Sequence, residues 1–141
     1  MMDEHMLPTE SPSATKTMDE ARVELLYKLR ETEIREDLVH YAKVMYGDKF
    51  NLYGLTPEEL VQNKMSILGR TIIECCVTAH SKGIAKELDT YLSQHFPKEQ
   101  KFAFVDGFAG SLNVIYHICE RYGNSHKYIA YEKDDRVFET T

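Results

Sequence analysis

The stretch from Phe102 to Glu132 constrains the fold of this chain more than any other. Phe102-Ala-Phe-Val105 is a short unbroken apolar run that ends at Asp106, and Gly107-Phe-Ala-Gly110 follows it as a turn. Apolar residues then return at helical spacing through Leu112, Ile115, Tyr116, Ile118 and Cys119 until Gly123-Asn124, after which a second run, Tyr128-Ile-Ala-Tyr131, ends at Glu132. Runs of this kind predict strands buried on both faces of a parallel sheet. Ser111 is the expected cap of the helix between them, and Gly123 its stop. The lengths agree with that reading: about six extended residues cover about 20 Å, and a helix of about twelve residues returns about 18 Å. The two strands are therefore expected to lie parallel and adjacent, joined by a right-handed crossover.

In such a unit the loop after the first strand opens at the carboxyl edge of the sheet, where a helix N-terminus exposes unpaired amides and where ligands bind. The second strand delivers its last residue to the same edge. Asp106 and Glu132, 26 positions apart, are thus expected to face one pocket. An acid at the end of the second strand can accept both hydroxyls of a ribose. The loop Asp106-Gly-Phe-Ala-Gly-Ser-Leu-Asn113 lacks the G-x-G-x-x-G of a dinucleotide site, and no Walker lysine follows Gly110. An acid at the loop entrance repels phosphate and attracts an ammonium or sulfonium group.

Phe104-Val-Asp-Gly-Phe-Ala-Gly-Ser111 resembles the first motif of S-adenosylmethionine-dependent methyltransferases, in the D-x-F-x-G-S-G form found in enzymes that methylate exocyclic amines of DNA or RNA bases. Ile129-Ala-Tyr-Glu-Lys-Asp-Asp-Arg136 is similar to their second motif. The resemblance implies a Rossmann-like domain with S-adenosylmethionine as cofactor. Asp106 and Gly110, with Gly107 and Phe108 between them, would line the methionine end. Glu132 would hold the ribose, and Lys133 and Asp134 would flank the adenine. Leu112 departs from the pattern, standing where that form has its last glycine. The D/N-P-P-Y/F segment with which those enzymes grip the target amine is absent, and no catalytic residue can be named. The expectation is an incomplete α/β, Rossmann-like methyltransferase fold, inactive as this chain alone, that needs a missing C-terminal half or a protein partner and acts on nucleic acid when complete.

The rest of the chain reads as helical. Residues 1–16, with Pro8, Pro12 and a cluster of Ser and Thr, have little to bury and are expected to be a disordered lead-in. Residues 17–100 form a mostly helical region before the nucleotide-binding unit at 101–141. Val23, Leu26, Tyr27, Ile34, Leu38, Tyr41, Ala42 and Met45 predict one long amphipathic helix from Thr17 to Tyr46, stopped by Gly47 and packed on a neighbouring domain. Thr56-Pro57-Glu58-Glu59 predicts a capping box and a short helix. Further helices are expected over 66–81, broken at Gly83, and over 84–96, ended by Pro97.

Composition narrows the function classes. Residues 1–63 carry a net charge of −6, residues 64–101 carry +2 and residues 102–141 carry −2, so no segment has the basic footprint of an autonomous nucleic-acid binder. The most apolar stretch, Thr71 to Val77, is short and holds Glu74, which excludes a membrane span there. The acidic start is unlike a secretory signal, and three cysteines without C-x-x-C spacing fit neither a disulfide framework nor a zinc site; an intracellular location is expected. His80, His95, His117 and His126 share no ligand spacing and read as surface or helix-end residues. A contrasting reading is a non-enzymatic module that binds a protein partner through the helices and carries a degenerate Rossmann-like end.

Overall fold

The computed structural model describes residues 15–140 and shows a mixed helix-and-sheet protein with two small sheets. The expected lead-in falls almost wholly outside the described residues. Lys16, at its end, pairs with Glu24 and donates to the Tyr41 hydroxyl at 3.3 Å.

The long helix expected over 17–46 is instead four pieces. Helix α1 (Met18–Val23) starts at a capping box in which Glu20 N donates to Thr17 Oγ1 at 3.2 Å and Thr17 N donates to Glu20 Oε2 at 2.8 Å. It widens into a π-helical turn (Glu24–Lys28), closed by Leu29 N donating to Glu24 O at 2.8 Å. Strand β1 (Glu33–Ile34) follows, and the chain resumes as α2 (Leu38–Tyr46), which ends at Gly47 as expected. The break has a tertiary cause, because β1 pairs antiparallel with β2 (Ile67–Leu68) and a helix through Ile34 would forfeit that ladder. A 3₁₀ turn (Gly47–Lys49) leads to α3 (Pro57–Gln62), whose Thr56–Glu59 capping box forms as predicted.

The helix expected over 66–81 is also divided, into β2, the short α4 (Gly69–Glu74), and the start of α5 (Thr78–His95), which runs through Gly83 without a break. Glycine at an exposed helix position costs only about 1 kcal/mol, less than α5 gains by packing its length on the C-terminal unit. Gly69 is required sterically. A Cβ there would sit 2.3 Å from Leu29 O, so α4 could not approach the end of the π-helical turn. Residues from α1, α2, α3, β1, β2 and α4 share one core, centred on Leu25, Leu38, Phe50, Leu60 and Ile72.

The strand–helix–strand is present. Strand β3 (Ala103–Asp106) pairs in parallel with β4 (Lys127–Ala130), with Phe104 opposite Tyr128 and Asp106 opposite Ala130, and α6 (Asn113–Tyr122) connects them. Helix α7 (Asp135–Thr140) follows. Helix α6 stops at Gly123, whose φ of 73° suits glycine and whose N donates to Cys119 O at 2.8 Å. Burial of β3 differs from expectation: Phe104 is buried against Ala85, Ile115 and Ile118, whereas Ala103 and Val105 are exposed, Val105 at 60%. Both α5 and α6 contribute to the core under Phe104, and among the described residues nothing covers the opposite face. The predicted cap is corrected too. Leu112, at φ 61°, is the N-cap of α6, and neither its side chain nor that of Ser111 supplies a capping bond.

Candidate functional site

The candidate site lies at the carboxyl ends of β3 and β4, where the backbone continues the pairing. Tyr131 N donates to Asp106 O at 2.8 Å, and Ala109 N donates to Tyr131 O at 2.9 Å, so the glycine loop folds back over the end of β4. This brings Glu132 to the loop. Its Oε2 accepts from Gly110 N at 2.8 Å, and its Oε1 accepts from Asp134 N at 2.8 Å. Asp106 Oδ1 accepts from Phe108 N at 3.0 Å, tightening the turn just after β3.

Asp106 and Glu132 thus each accept a hydrogen bond from an amide of the glycine loop, but they open onto different spaces. Asp106, Gly107 and Phe108 line an apolar cavity of about 500 Å³ walled by Leu88 and Leu92 of α5 and by Val114 of α6. Glu132 and Gly110 line a smaller one of about 110 Å³, shared with Arg70, Glu74 and Asp134. The expectation of a single pocket facing both carboxylates is thus corrected: Glu132 turns inward to the Gly110 amide, on the side of α4, while Asp106 stays with its own turn. Phe108 is 96% exposed at the loop tip, and Lys133 is exposed beside Glu132. Asp134, expected beside an adenine, faces the N-terminal half. Its Oδ2 lies 2.6 Å from Arg70 Nη2, and its Oδ1 accepts from Arg136 N at 3.0 Å and Val137 N at 3.1 Å, capping α7. Arg70 beside it and the amide of Val137 hold the Asp134 carboxyl below the usual carboxylate range.

Two residues that the sequence did not single out support the loop from beneath. Asn113, the first residue of α6, is 1% exposed. Its Oδ1 accepts from Tyr53 N at 2.7 Å, and its Nδ2 donates to Cys76 O at 2.7 Å and Ser81 Oγ at 3.2 Å. The Tyr53 hydroxyl donates to Ser111 O, and burial pushes the Tyr53 pKa up to about 12, so this donor keeps its proton. The loop is thereby attached to the N-terminal core at both Ser111 and Asn113. An asparagine directly after a glycine-rich loop was the available signal, but its partners are far off in sequence.

The histidines are also corrected in part. His117 is 2% exposed, with Nε2 3.3 Å from Thr78 Oγ1 and Nδ1 3.0 Å from Glu120 Oε2, and His126 accepts from Phe102 N at 3.1 Å and stacks on that ring. His117 thus holds the first residue of α5, and His126 the residue that leads into β3. The three cysteines are free thiols, and burial pushes that of Cys75 up to about 12, an inert form at neutral pH. Among the described residues no group of three or more His, Cys, Asp or Glu is placed to hold a metal, and no helix is long and apolar enough to cross a membrane.

The geometry shows a parallel strand pair whose glycine loop is bonded by the acids that end each strand. Compared with protein-family models, curated proteins and solved structures, the chain matches none.

Proposed function

We propose that this chain carries the opening, cofactor-binding portion of a Rossmann-like, S-adenosylmethionine-dependent methyltransferase whose substrate is the exocyclic amine of a nucleic-acid base. One observation carries the reading: Glu132, the acid that closes β4, accepts a hydrogen bond from Gly110 in the loop that closes β3, at 2.8 Å. Strand-end acid and glycine loop thus meet at one sheet edge. Each Glu132 oxygen takes one amide and retains a lone pair for a ribose hydroxyl. Asp106, with Gly107 and Phe108, supplies a negative wall for the sulfonium and ammonium groups of the methionine end, and Lys133 lies beside the adenine. The reaction is methyl transfer by displacement at the sulfonium carbon, in which the protein chiefly aligns the nucleophile. The amine grip is supplied by further residues of the same protein or by a partner.

Leu112 favours a second reading, an interaction module with a degenerate nucleotide site, because a leucine at φ 61° occupies a backbone position that suits glycine. Calorimetric titration with S-adenosylhomocysteine separates the two. Binding by the wild type that is lost in both Asp106→Ala and Glu132→Ala supports the methyltransferase reading, and no binding by a folded wild type overturns it.

A further inference from the structure

Arg70 stands out among the charged side chains of the described residues because it is almost wholly removed from water. Its side chain is 6% exposed, in the first turn of α4. It is buried there because Gly69 lets α4 close onto Leu29. A buried guanidinium is expensive unless surrounding acids compensate it. Three do so: Asp134 at 2.6 Å from Nη2, Glu31 at 3.6 Å from Nη1 and Glu74 at 4.0 Å from Nε. The contact to Asp134 is by far the closest. Nε and Nη2 are both buried without a hydrogen bond of good geometry, so Asp134 holds the guanidinium as its nearest counter-charge.

Asp134 joins this cation to the glycine loop. One carboxylate oxygen faces Arg70, the other caps α7, and its own N–H donates to Glu132 Oε1. Glu132 Oε2 in turn holds Gly110 N. An unbroken path therefore runs from a buried cation of the N-terminal core, through the turn after β4, to the carboxylate assigned to the ribose and on to the glycine loop. The cavity enclosed by Arg70, Glu74, Gly110, Glu132 and Asp134 is about 110 Å³, room for a few waters and too small for a nucleoside, so Arg70 stands behind the ligand site rather than in it.

We propose that Arg70 is the positioning residue for Glu132: by holding Asp134 it sets the turn 132–134 and so aims the Glu132 carboxylate at the loop and at the ribose. The assignment of the ribose rests on the function proposed above; the positioning itself does not. Its consequence is that the helical N-terminal part is an integral wall of the nucleotide site. Without the cation, Glu31, Glu74, Glu132 and Asp134 converge on one another, and Asp134 swings toward water and releases the turn.

The test uses the full chain and two readouts. In hydrogen exchange followed by ¹⁵N-resolved NMR, the Gly110 and Asp134 amides of the wild type, both bonded to Glu132, are expected to be protected. In Arg70→Gln that shared protection is expected to disappear while amides of the distant α3 keep theirs. In calorimetry, Arg70→Gln is expected to weaken S-adenosylhomocysteine about tenfold, in line with couplings measured between contacting groups. It is expected to cause no further loss in an Asp134→Asn background, where the same path is already cut. Arg70→Lys, which keeps the charge without the planar fork, should recover part of both effects. If Arg70→Gln fails to fold, Asp134→Asn breaks the same path on the solvent side. Unchanged protection of the Gly110 and Asp134 amides in either folded variant overturns the proposal, whether or not the wild type binds the nucleoside. A wild type that binds no nucleoside, together with loss of the shared amide protection in Arg70→Gln, overturns the proposed function and supports the positioning role.

Discussion

Replacing Asn113 by alanine is expected to destabilise the protein by about 2–6 kcal/mol, although the residue contributes no apolar packing. The amide makes three hydrogen bonds from a site 1% exposed: to Tyr53 N at 2.7 Å, Cys76 O at 2.7 Å and Ser81 Oγ at 3.2 Å. Only one of the three partners is orphaned by the change, since Ser81 Oγ also donates to Cys76 O at 3.1 Å and those two keep each other. The part-buried Tyr53 N–H is left without an acceptor, at about 1–3 kcal/mol, and the two lost bonds add about 0.5–1.5 kcal/mol each. At roughly 4 °C per kcal/mol for a domain of this size the melting temperature should fall by about 8–24 °C. Urea unfolding followed by far-ultraviolet circular dichroism and tyrosine emission measures it, since the chain has no tryptophan and nine tyrosines. Asn113→Asp separates bonding from volume. It retains an acceptor for Tyr53 N but turns a second acceptor toward Cys76 O, so it should cost at least as much as alanine despite its near-identical shape. Asn124→Ala, at an exposed position, serves as the control and should stay within about 0.5 kcal/mol of wild type. An alanine variant within about 0.5 kcal/mol of wild type, or an aspartate variant as stable as wild type, would refute the reasoning.

Gly83→Ala should raise the urea midpoint by the equivalent of about 0.5–1 kcal/mol, because a Cβ there meets nothing within 4 Å in the interior of α5; a loss of stability would show that the helix needs glycine at that point. Acid sensitivity should trace to Asp89 and Asp134 together with Glu20 and Glu24, all held below their usual range. Hydrogen bonding to Arg121 lowers the pKa of Asp89, with Tyr122 adding to it, and Arg70 lowers that of Asp134. Groups with folded pKa values below their unfolded values contribute stability that is complete above the unfolded values and is lost as pH falls through the lower folded values. Urea midpoints should therefore decline below about pH 4, and Arg121→Gln should flatten the decline; an equally steep decline in that variant would remove Asp89 from the account.

What the sequence determined by itself is the set of features written in neighbouring residues. The capping box at Thr56, the stops at Gly47 and Gly123, and the two short apolar runs around α6 all report local backbone preferences that no distant contact reverses. The meeting of a strand-end acid with a glycine loop was legible for the same reason, since parallel pairing of β3 and β4 leaves Glu132 and Gly110 little freedom to separate. Tertiary structure decided the rest. Ile34 has helical spacing with its neighbours, yet it pairs with Ile67, and the free energy of that ladder is visible only once the two strands have met. Gly83 reads as a break, yet the core that α5 shares with α6 carries the helix through it. Arg70 and Asn113 look like ordinary polar residues. Their burial, and with it their hold on the loop and on Glu132, depends on partners dozens of positions away. The same long-range packing turned Asp106 and Glu132 onto separate cavities, because which way a carboxylate faces at a sheet edge is set by the cations and amides that the rest of the fold brings to it.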